Sequence, residues 1–378
     1  MSTDASPHGS AGAPDDVSSD FASLLDDAKR MRGVSLGRDA WRRLRRNRIA
    51  FGSLLFLIML SLVSAATPVF PLQAPRTVQT KRSFARPTMS PLFAPTAAWI
   101  GNDGTIDKVA LEAGFGKLNR FDRTLARIRA KIFGRWECTS WCGTDNLGRD
   151  ILARLFWGSR VSLIVGLVAG LVSLVIGVSY GAISGYLGGW VDAVMMRIVD
   201  ILYAIPFLFV VILLLTVIDS EKWKKQLLEY GLDRMTVFFL IVGAIFWLTM
   251  ARVVRGQVLS LKTEQFVEAA RTIGCGKMRI IFLHLVPNLL SVIIVYLTLT
   301  IPRVMLFEAF LSFLGLGVQA PDVSWGVLAS EGTQSITPII FDWWLVVFPG
   351  LALATTLFAL NFLGDGLRDA LDPRLKHR

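Results

Sequence analysis

The sequence predicts an all-α membrane protein, a polytopic bundle of six transmembrane helices with an enlarged loop after the first. Hydrophobic residues make up 53% of the 378 residues and charged residues only 18%. Soluble domains average about 45–50% apolar and about 25% charged residues. The apolar residues also gather into six runs, each near the length of about 20 residues that crosses a bilayer as a helix.

The first predicted span lies in residues 41–70, where a segment with five arginines precedes an apolar run from Ile49 to about Phe70. Arginines beside a span stay in the cytoplasm, which predicts a cytoplasmic N-terminus. Residues 1–40 are rich in Ser, Asp, Ala and Gly and predict a disordered cytoplasmic tail. A signal peptide is the competing interpretation, because Ser64-Ala65-Ala66 is rich in small residues, but its polar n-region would be far too long.

The segment 71–150 is polar and free of any spanning run, so the topology places it outside the membrane. Apolar runs resume in 151–365 and predict five more spans, at 160–183, 193–217, 237–256, 286–307 and 343–363. The loop 252–287 and the tail 366–378 then lie in the cytoplasm, and both are rich in Lys and Arg. This charge agrees with the positive-inside rule and predicts that both termini are cytoplasmic.

Composition argues against several other functions. Nucleic-acid binding would explain the net charge of +11, but the basic residues lie beside apolar spans, where membrane orientation requires them. The cysteines and histidines have no metal-ligand spacing, so we expect no metal site and no cofactor bound by this chain. There is no phosphate-binding loop and no cluster of catalytic side chains, so we expect no enzyme activity and assign no catalytic residue.

Two cysteines, Cys138 and Cys142, lie in the predicted outer segment, where disulfides persist. Their short spacing allows the Cα separation of about 4.4–6.8 Å that a bridge requires. We therefore predict a disulfide between them, with free thiols as the alternative, and a reduced Cys275 on the cytoplasmic side.

Two further patterns concern the second span. Gly166, Gly170, Gly177 and Gly181 form a stripe of small residues, which favours either ordinary helix packing or a face toward a partner subunit. Upstream, the sequence predicts that Thr144 or Asp145 caps a helix that begins near Asn146.

The loop 252–287 contains the motif that carries a family resemblance. It reads Glu268-Ala269-Ala270-Arg271-Thr272-Ile273-Gly274, then nine residues, then His284-Leu285-Val286-Pro287-Asn288. This resembles the EAA loop of binding-protein-dependent ABC importers. Three more segments, 143–163, 307–326 and 364–375, resemble signatures of the C-type permease subunits of oligopeptide and dipeptide importers, and His284 is typical of the same branch. The resemblance covers about 143–375.

The resemblance implies a type I ABC importer permease in a bacterial inner membrane that transports peptides or similar solutes. It implies a heterodimer with a B-type permease, two ATP-binding subunits that bind ATP and Mg, an extracytoplasmic solute-binding protein and the lipid bilayer as partners. The alternative is a secondary transporter or channel subunit without an ATPase partner. Such a transporter would typically carry intramembrane acidic groups and internal repeats.

Residues 264–273 predict a short helix that ends at Gly274, because glycine accepts the left-handed conformation of a helix end. From the residues alone, a solvated connector is the simpler interpretation. The resemblance instead implies a docking helix for an ATPase subunit. Glu268 would then supply a polar contact, Ala269 and Ala270 close packing, and Arg271 and Gly274 would complete the coupling site.

Two charged residues lie in or near the fifth predicted span. Arg303 departs from the family, which is usually apolar there, whereas Glu308 matches it. Charged groups at membrane depth are costly and are functional candidates by default. We expect that Arg303 and Glu308 either form a structural pair or line the translocation path. The long segment 71–142 is a second departure from the family.

Overall fold

The computed structural model describes residues 36–88, 93–101, 105–116, 118–138, 140–336 and 341–371. The predicted tails 1–40 and 366–378 lie largely outside these ranges. The described α-helices longer than three residues are, in chain order, α1 (Leu36–Arg46), α2 (Arg48–Ala65), α3 (Lys108–Phe115), α4 (Arg120–Phe133), α5 (Ile151–Leu187), α6 (Gly189–Ala204), α7 (Phe207–Ile218), α8 (Glu221–Glu229), α9 (Arg234–Leu261), α10 (Gln265–Thr272), α11 (Leu290–Phe313), α12 (Trp325–Gln334) and α13 (Trp344–Leu371). Two short strands, β1 (Phe93–Ala94) and β2 (Glu137–Cys138), pair antiparallel.

Five of the described helices, α2, α5, α9, α11 and α13, are long and apolar enough to cross a membrane. The third predicted span, 193–217, is not one continuous helix. It comprises α6 and α7, which meet at an angle of 85°. Pro206 lies at the break, where proline removes a backbone N–H and disfavours a helical conformation in the preceding residue. The chain has six spans if this bent pair counts as one.

The boundaries of the first two spans differ from the prediction. Helix α2 ends at Ala65, and a 3₁₀ turn at Thr67–Val69 follows. Helix α5 begins at Ile151 rather than near Asn146, so the predicted cap was wrong. The cap is Asp150, whose carboxylate accepts the Ala153 N–H at 2.9 Å.

Helices α5 and α9 pack with their backbones unusually close. A Cβ atom on Gly181 would lie 2.3 Å from the carbonyl oxygen of Ala251, and one on Gly177 would lie 2.6 Å from Cβ of Met250. Gly166 and Gly170 face Met305 and Ile301 of α11 in the same way. The four glycines thus pack within the chain and are not on the surface for a partner subunit.

The segment 71–150 folds against the beginning of α5. Its interior holds an ion pair in which Arg129 Nη2 donates to Glu137 Oε1 at 2.7 Å, with both side chains at most 2% exposed. The Arg129 guanidinium also lies 5.0 Å from the ring centroid of Trp99. Removing one partner of a buried pair costs about 3–5 kcal/mol, so this pair fixes the position of α4 relative to β2.

A second ion cluster joins this segment to α12. Arg154 Nη1 donates to Asp145 Oδ2 at 2.6 Å and also to Glu331 of α12, while Arg149 Nη2 donates to Glu331 Oε2 at 3.2 Å. Burial alone would raise the pKa of Glu331, but the two arginines outweigh that effect and lower it. The carboxylate of Glu331 is therefore ionised and held between two arginines.

The predicted disulfide is not formed. Cys138 and Cys142 are both free, and their side chains pack in different apolar clusters. Cys138 lies with Leu72 and Ala153, whereas Cys142 packs against the cluster that contains Trp344. Sequence spacing permitted the bridge, but the fold of the segment separates the two thiols.

Both thiols should react slowly in the native protein. Burial raises the pKa of Cys138 and of Cys142 to about 11, and only the thiolate is nucleophilic. At neutral pH we expect iodoacetamide to leave both unmodified until the protein is denatured, and we expect native labelling to accelerate as the pH rises toward 11. Mass spectrometry of alkylated peptides measures this. Thiols that resist alkylation in denaturant until a reductant is added would show a disulfide instead.

Candidate coupling site

Helix α10 forms as predicted, and the left-handed residue that terminates it, two positions after Thr272, is Gly274, whose φ is +83°. The Gly274 N–H donates to the Arg271 carbonyl at 2.9 Å and the Cys275 N–H donates to the Ala270 carbonyl at 3.0 Å. This pair of bonds is the Schellman motif. A Cβ atom on Gly274 would meet nothing within 4 Å, so glycine is required here by backbone conformation and not by space.

One face of α10 is buried in its own chain. Val267 and Ala270 belong to an apolar cluster that also contains residues of α5, α9 and the 280–289 segment. Arg271 Nε donates to the hydroxyl of Tyr186 at 3.3 Å, and its guanidinium lies 5.2 Å from that ring centroid. Ala270 and Arg271 thus hold α10 against the end of α5, and Ala270 is closed to any partner.

A second side of α10, about 100° around the helix from the buried one, carries another apolar stripe. Phe266, Ala269 and Ile273 are spaced i, i+3 and i+7, which places them on one side of a helix. All three are exposed, and Ile273 is 81% exposed. Glu268 is exposed next to them. Sequence reasoning selected Glu268 and Ala269 but missed Phe266 and Ile273, although their spacing was a usable signal.

The segment 277–288 connects α10 to α11. It contains a π-helical stretch, Ile280–Leu285, in which Ile280, Ile281 and Leu285 are buried in the same apolar cluster as Val267. Pro287 lies just before α11 begins at Leu290. These residues share one core, which connects α10 to the beginning of α11.

Comparison with known proteins decides the family. Residues 177–377, more than half of the chain, match the model of the binding-protein-dependent transport system inner membrane component. That range includes α10 and Gly274. The chain belongs to this family. Residues 35–87 of the permease also match the N-terminal TM domain of oligopeptide transport permease C, so the family predicted from the motifs is confirmed.

Curated relatives resemble most of the permease. It is 37% identical over 350 residues to the dipeptide transport system permease protein DppC of Bacillus subtilis. The aligned region covers 93% of this chain and 89% of DppC. It is 50% identical over 240 residues to the oligopeptide transport system permease protein OppC of Escherichia coli K12, covering 63% and 74%. The OppC protein of Bacillus subtilis is 37% identical over 313 residues, covering 75% and 97%.

The two charged residues of α11 have different environments in the permease. Glu308 is 1% exposed, and its Oε1 accepts a hydrogen bond from Ser312 at 2.7 Å. Ser312 Oγ in turn accepts the Val318 N–H at 3.1 Å, so Glu308 supports the loop after α11. Arg303 is exposed and lies on another face of the helix. Among the described residues it has no ion-pair partner, so the structural pair that sequence analysis considered is not formed.

Replacing Gly274 should loosen the end of α10. Forcing an L-residue into the left-handed conformation costs about 1–2 kcal/mol, and valine should be worse than alanine because it is β-branched. We expect hydrogen exchange of the 265–275 amides to be roughly 5–30-fold faster in Gly274→Val. Gly276→Ala is the matched control, because Gly276 has φ −65° and open space around it. Equal exchange in the three proteins would mean that Gly274 is not required.

Proposed function

We propose that this permease forms half of a translocation path for peptides or similarly sized solutes, and that α10 docks on a separate ATP-binding subunit. The second apolar face of α10 carries the docking proposal. Phe266, Ala269 and Ile273 leave an exposed apolar stripe on one side of this helix, and exposed apolar patches mark interaction sites when they are contiguous. The relatives named as dipeptide and oligopeptide permeases support the substrate class.

The proposed assembly contains a B-type permease, two ATP-binding subunits that bind ATP and Mg, and an extracytoplasmic solute-binding protein. A recess of about 360 Å³ at the C-terminal end of α10 is bordered by Tyr186, Arg271 and Lys277. It lies on the side where Arg271 contacts Tyr186 of α5, so it is separate from the apolar stripe that carries the docking proposal.

Both termini are proposed to lie in the cytoplasm, with 71–150 outside. The arginines of α1 and the basic residues of 252–279 lie at one end of the bundle, and 71–150 lies at the other, about 55 Å away along the 37 residues of α5 at 1.5 Å per residue. We expect a cysteine introduced at Ser260 to react with a membrane-impermeant maleimide only from the cytoplasmic side. Labelling from outside intact cells would show that the chain has the opposite orientation in the membrane.

The docking proposal predicts a selective loss of partner binding. Ile273→Glu places a charge in the proposed apolar contact, and Glu268→Lys reverses the neighbouring charge. We expect each to reduce retention of the ATP-binding subunit roughly tenfold, equivalent to about 1.4 kcal/mol, with retention normalised to permease in the membrane. Val109→Glu is the control, because Val109 is 80% exposed at the other end of the protein. Retention equal to the control in both variants would show that α10 is only a connector.

Arg303 is proposed to face the translocation path. Leu306 and Phe310 are exposed on the same side of α11, and an arginine facing lipid at the helix centre costs about 2.5–3.5 kcal/mol or more. We expect Arg303→Gln to lower peptide uptake with unchanged abundance, and Arg303→Lys to restore part of it. Wild-type uptake in Arg303→Gln, together with higher abundance, would place Arg303 against lipid.

A further inference from the structure

Helix α4, in the segment that departs from the family, carries an apolar stripe that neither the core nor the proposed function uses. Phe121, Leu125, Ile128 and Ile132 are spaced i, i+4, i+7 and i+11, so they share one face of the helix. Phe121 is 62% and Ile132 is 64% exposed, while Leu125 is half-buried. The stripe is a continuous apolar surface about three turns long.

The other two sides of α4 are distinct from this stripe. Asp122, Ala126 and Arg129 are buried against the rest of the segment. On the remaining side lies a basic band, whose members are all exposed: Arg120, Arg123, Arg127 and Lys131. Going around the helix at about 100° per residue, the apolar stripe lies between the buried side and the basic band. A helix that lies in a bilayer interface has this arrangement of an apolar face beside a Lys/Arg-rich one.

The position of α4 relative to the spans supports the same conclusion. Helix α2 has 18 residues, about 27 Å at 1.5 Å per residue, close to the hydrocarbon thickness of about 30 Å. Ala65 therefore lies near the bilayer boundary. Helix α4 packs against the Thr67–Val69 turn directly beyond it, so α4 lies at the level where α2 leaves the membrane.

An ion pair joins α4 to the spanning surface itself. Arg160 of α5 donates to Asp122 Oδ1 at 2.7 Å and lies 5.0 Å from the ring centroid of Trp157. Arg160 also lines an apolar cavity of about 360 Å³ between α2 and α5, together with Leu57 and Leu163. This cavity is part of the surface between the spans, so Arg160 marks the border between that surface and α4.

We propose that α4 lies in the interface of the lipid bilayer, with the apolar stripe among the acyl chains and the basic band against the phosphates of anionic headgroups. Continuity with the spanning surface favours lipid over a soluble protein as the occupant. Charge complementarity adds to this, because arginine pairs with phosphate through two hydrogen bonds. Among the described residues only Arg123 of the band has an ion-pair partner, Glu112 at 3.2 Å.

Spin labels in the full chain in proteoliposomes test the proposal. Single cysteines replace Ile128 and Arg127 in a background where Cys138, Cys142 and Cys275 are serine. Controls are cysteines at Val109 for water and at Val175 of α5 for lipid, since both residues are highly exposed. The measurement is the collision rate of each label with oxygen, which concentrates in lipid, and with a water-soluble nickel chelate.

We expect the ratio of the oxygen collision rate to the nickel collision rate to be roughly fivefold higher at position 128 than at position 109. It should approach the ratio at position 175, because the stripe would lie at the boundary of the acyl chains. The label at 127 should resemble that at 109. A ratio at 128 equal to that at 109 places the stripe in water and overturns the proposal. Low accessibility to both reagents means that protein covers the stripe, which also overturns it.

Two further measurements guard against a misfolded background and test the charges. A benzophenone side chain at position 128 of the otherwise unaltered chain should form a photoadduct with phospholipid; no adduct, or one with protein, contradicts the proposal. Vesicles without phosphatidylglycerol should lower the ratio at 128 about twofold, and R120Q/R127Q/K131Q should abolish that difference. An unchanged ratio at position 128 in vesicles without phosphatidylglycerol would show that the basic band does not bind anionic headgroups.

Discussion

The close approach of α5 to α9 determines where everything else in this permease can lie. At Gly177, Gly181 and Gly185 any side chain would collide with the backbone or side chains of α9. In a bilayer there is no hydrophobic force between helices, so such close packing is what holds them together. With this pair fixed, the far end of α5 presents Tyr186 to α10 and its beginning presents Arg154 and Arg160 to the other end of the protein.

The two apolar faces of α10 are the basis of its proposed coupling role. Its inner face, Val267 and Ala270, shares a core with α5, α9 and the start of α11, while its outer face leaves Ile273 exposed. A helix so short has little stability by itself, so packing on the inner face and the glycine at its end keep it in shape. A partner bound to the outer face would therefore contact a helix whose inner face packs against several spans.

Much of this could be predicted from the sequence, for physical reasons that also explain the failures. Bilayer thickness fixes span length, and left-handed backbone requires glycine, so five spans and the end of α10 were predictable. Pro206 was visible, but an unbroken apolar run hid the break. Asp145 and Asp150 are equally good caps locally, but the Asp145 carboxylate accepts hydrogen bonds from Arg149 and Arg154, and Asp150 is the residue that caps α5. The fold of the 71–150 segment was not predictable, because its core joins residues that are scattered along the sequence around Arg129 and Glu137, although α4 itself carries a helical apolar period.

The break between α6 and α7 has a consequence for how a single copy fits the bilayer. The last carbonyls of α6 and the first amides of α7 lack helical partners, and residues 201–206 are exposed on the chain. Hydrocarbon does not tolerate such polar backbone, which must be buried in protein or face water. A single copy is therefore poorly matched to hydrocarbon at this site. If the proposed partner permease covers the break, its binding would also complete the burial of this backbone.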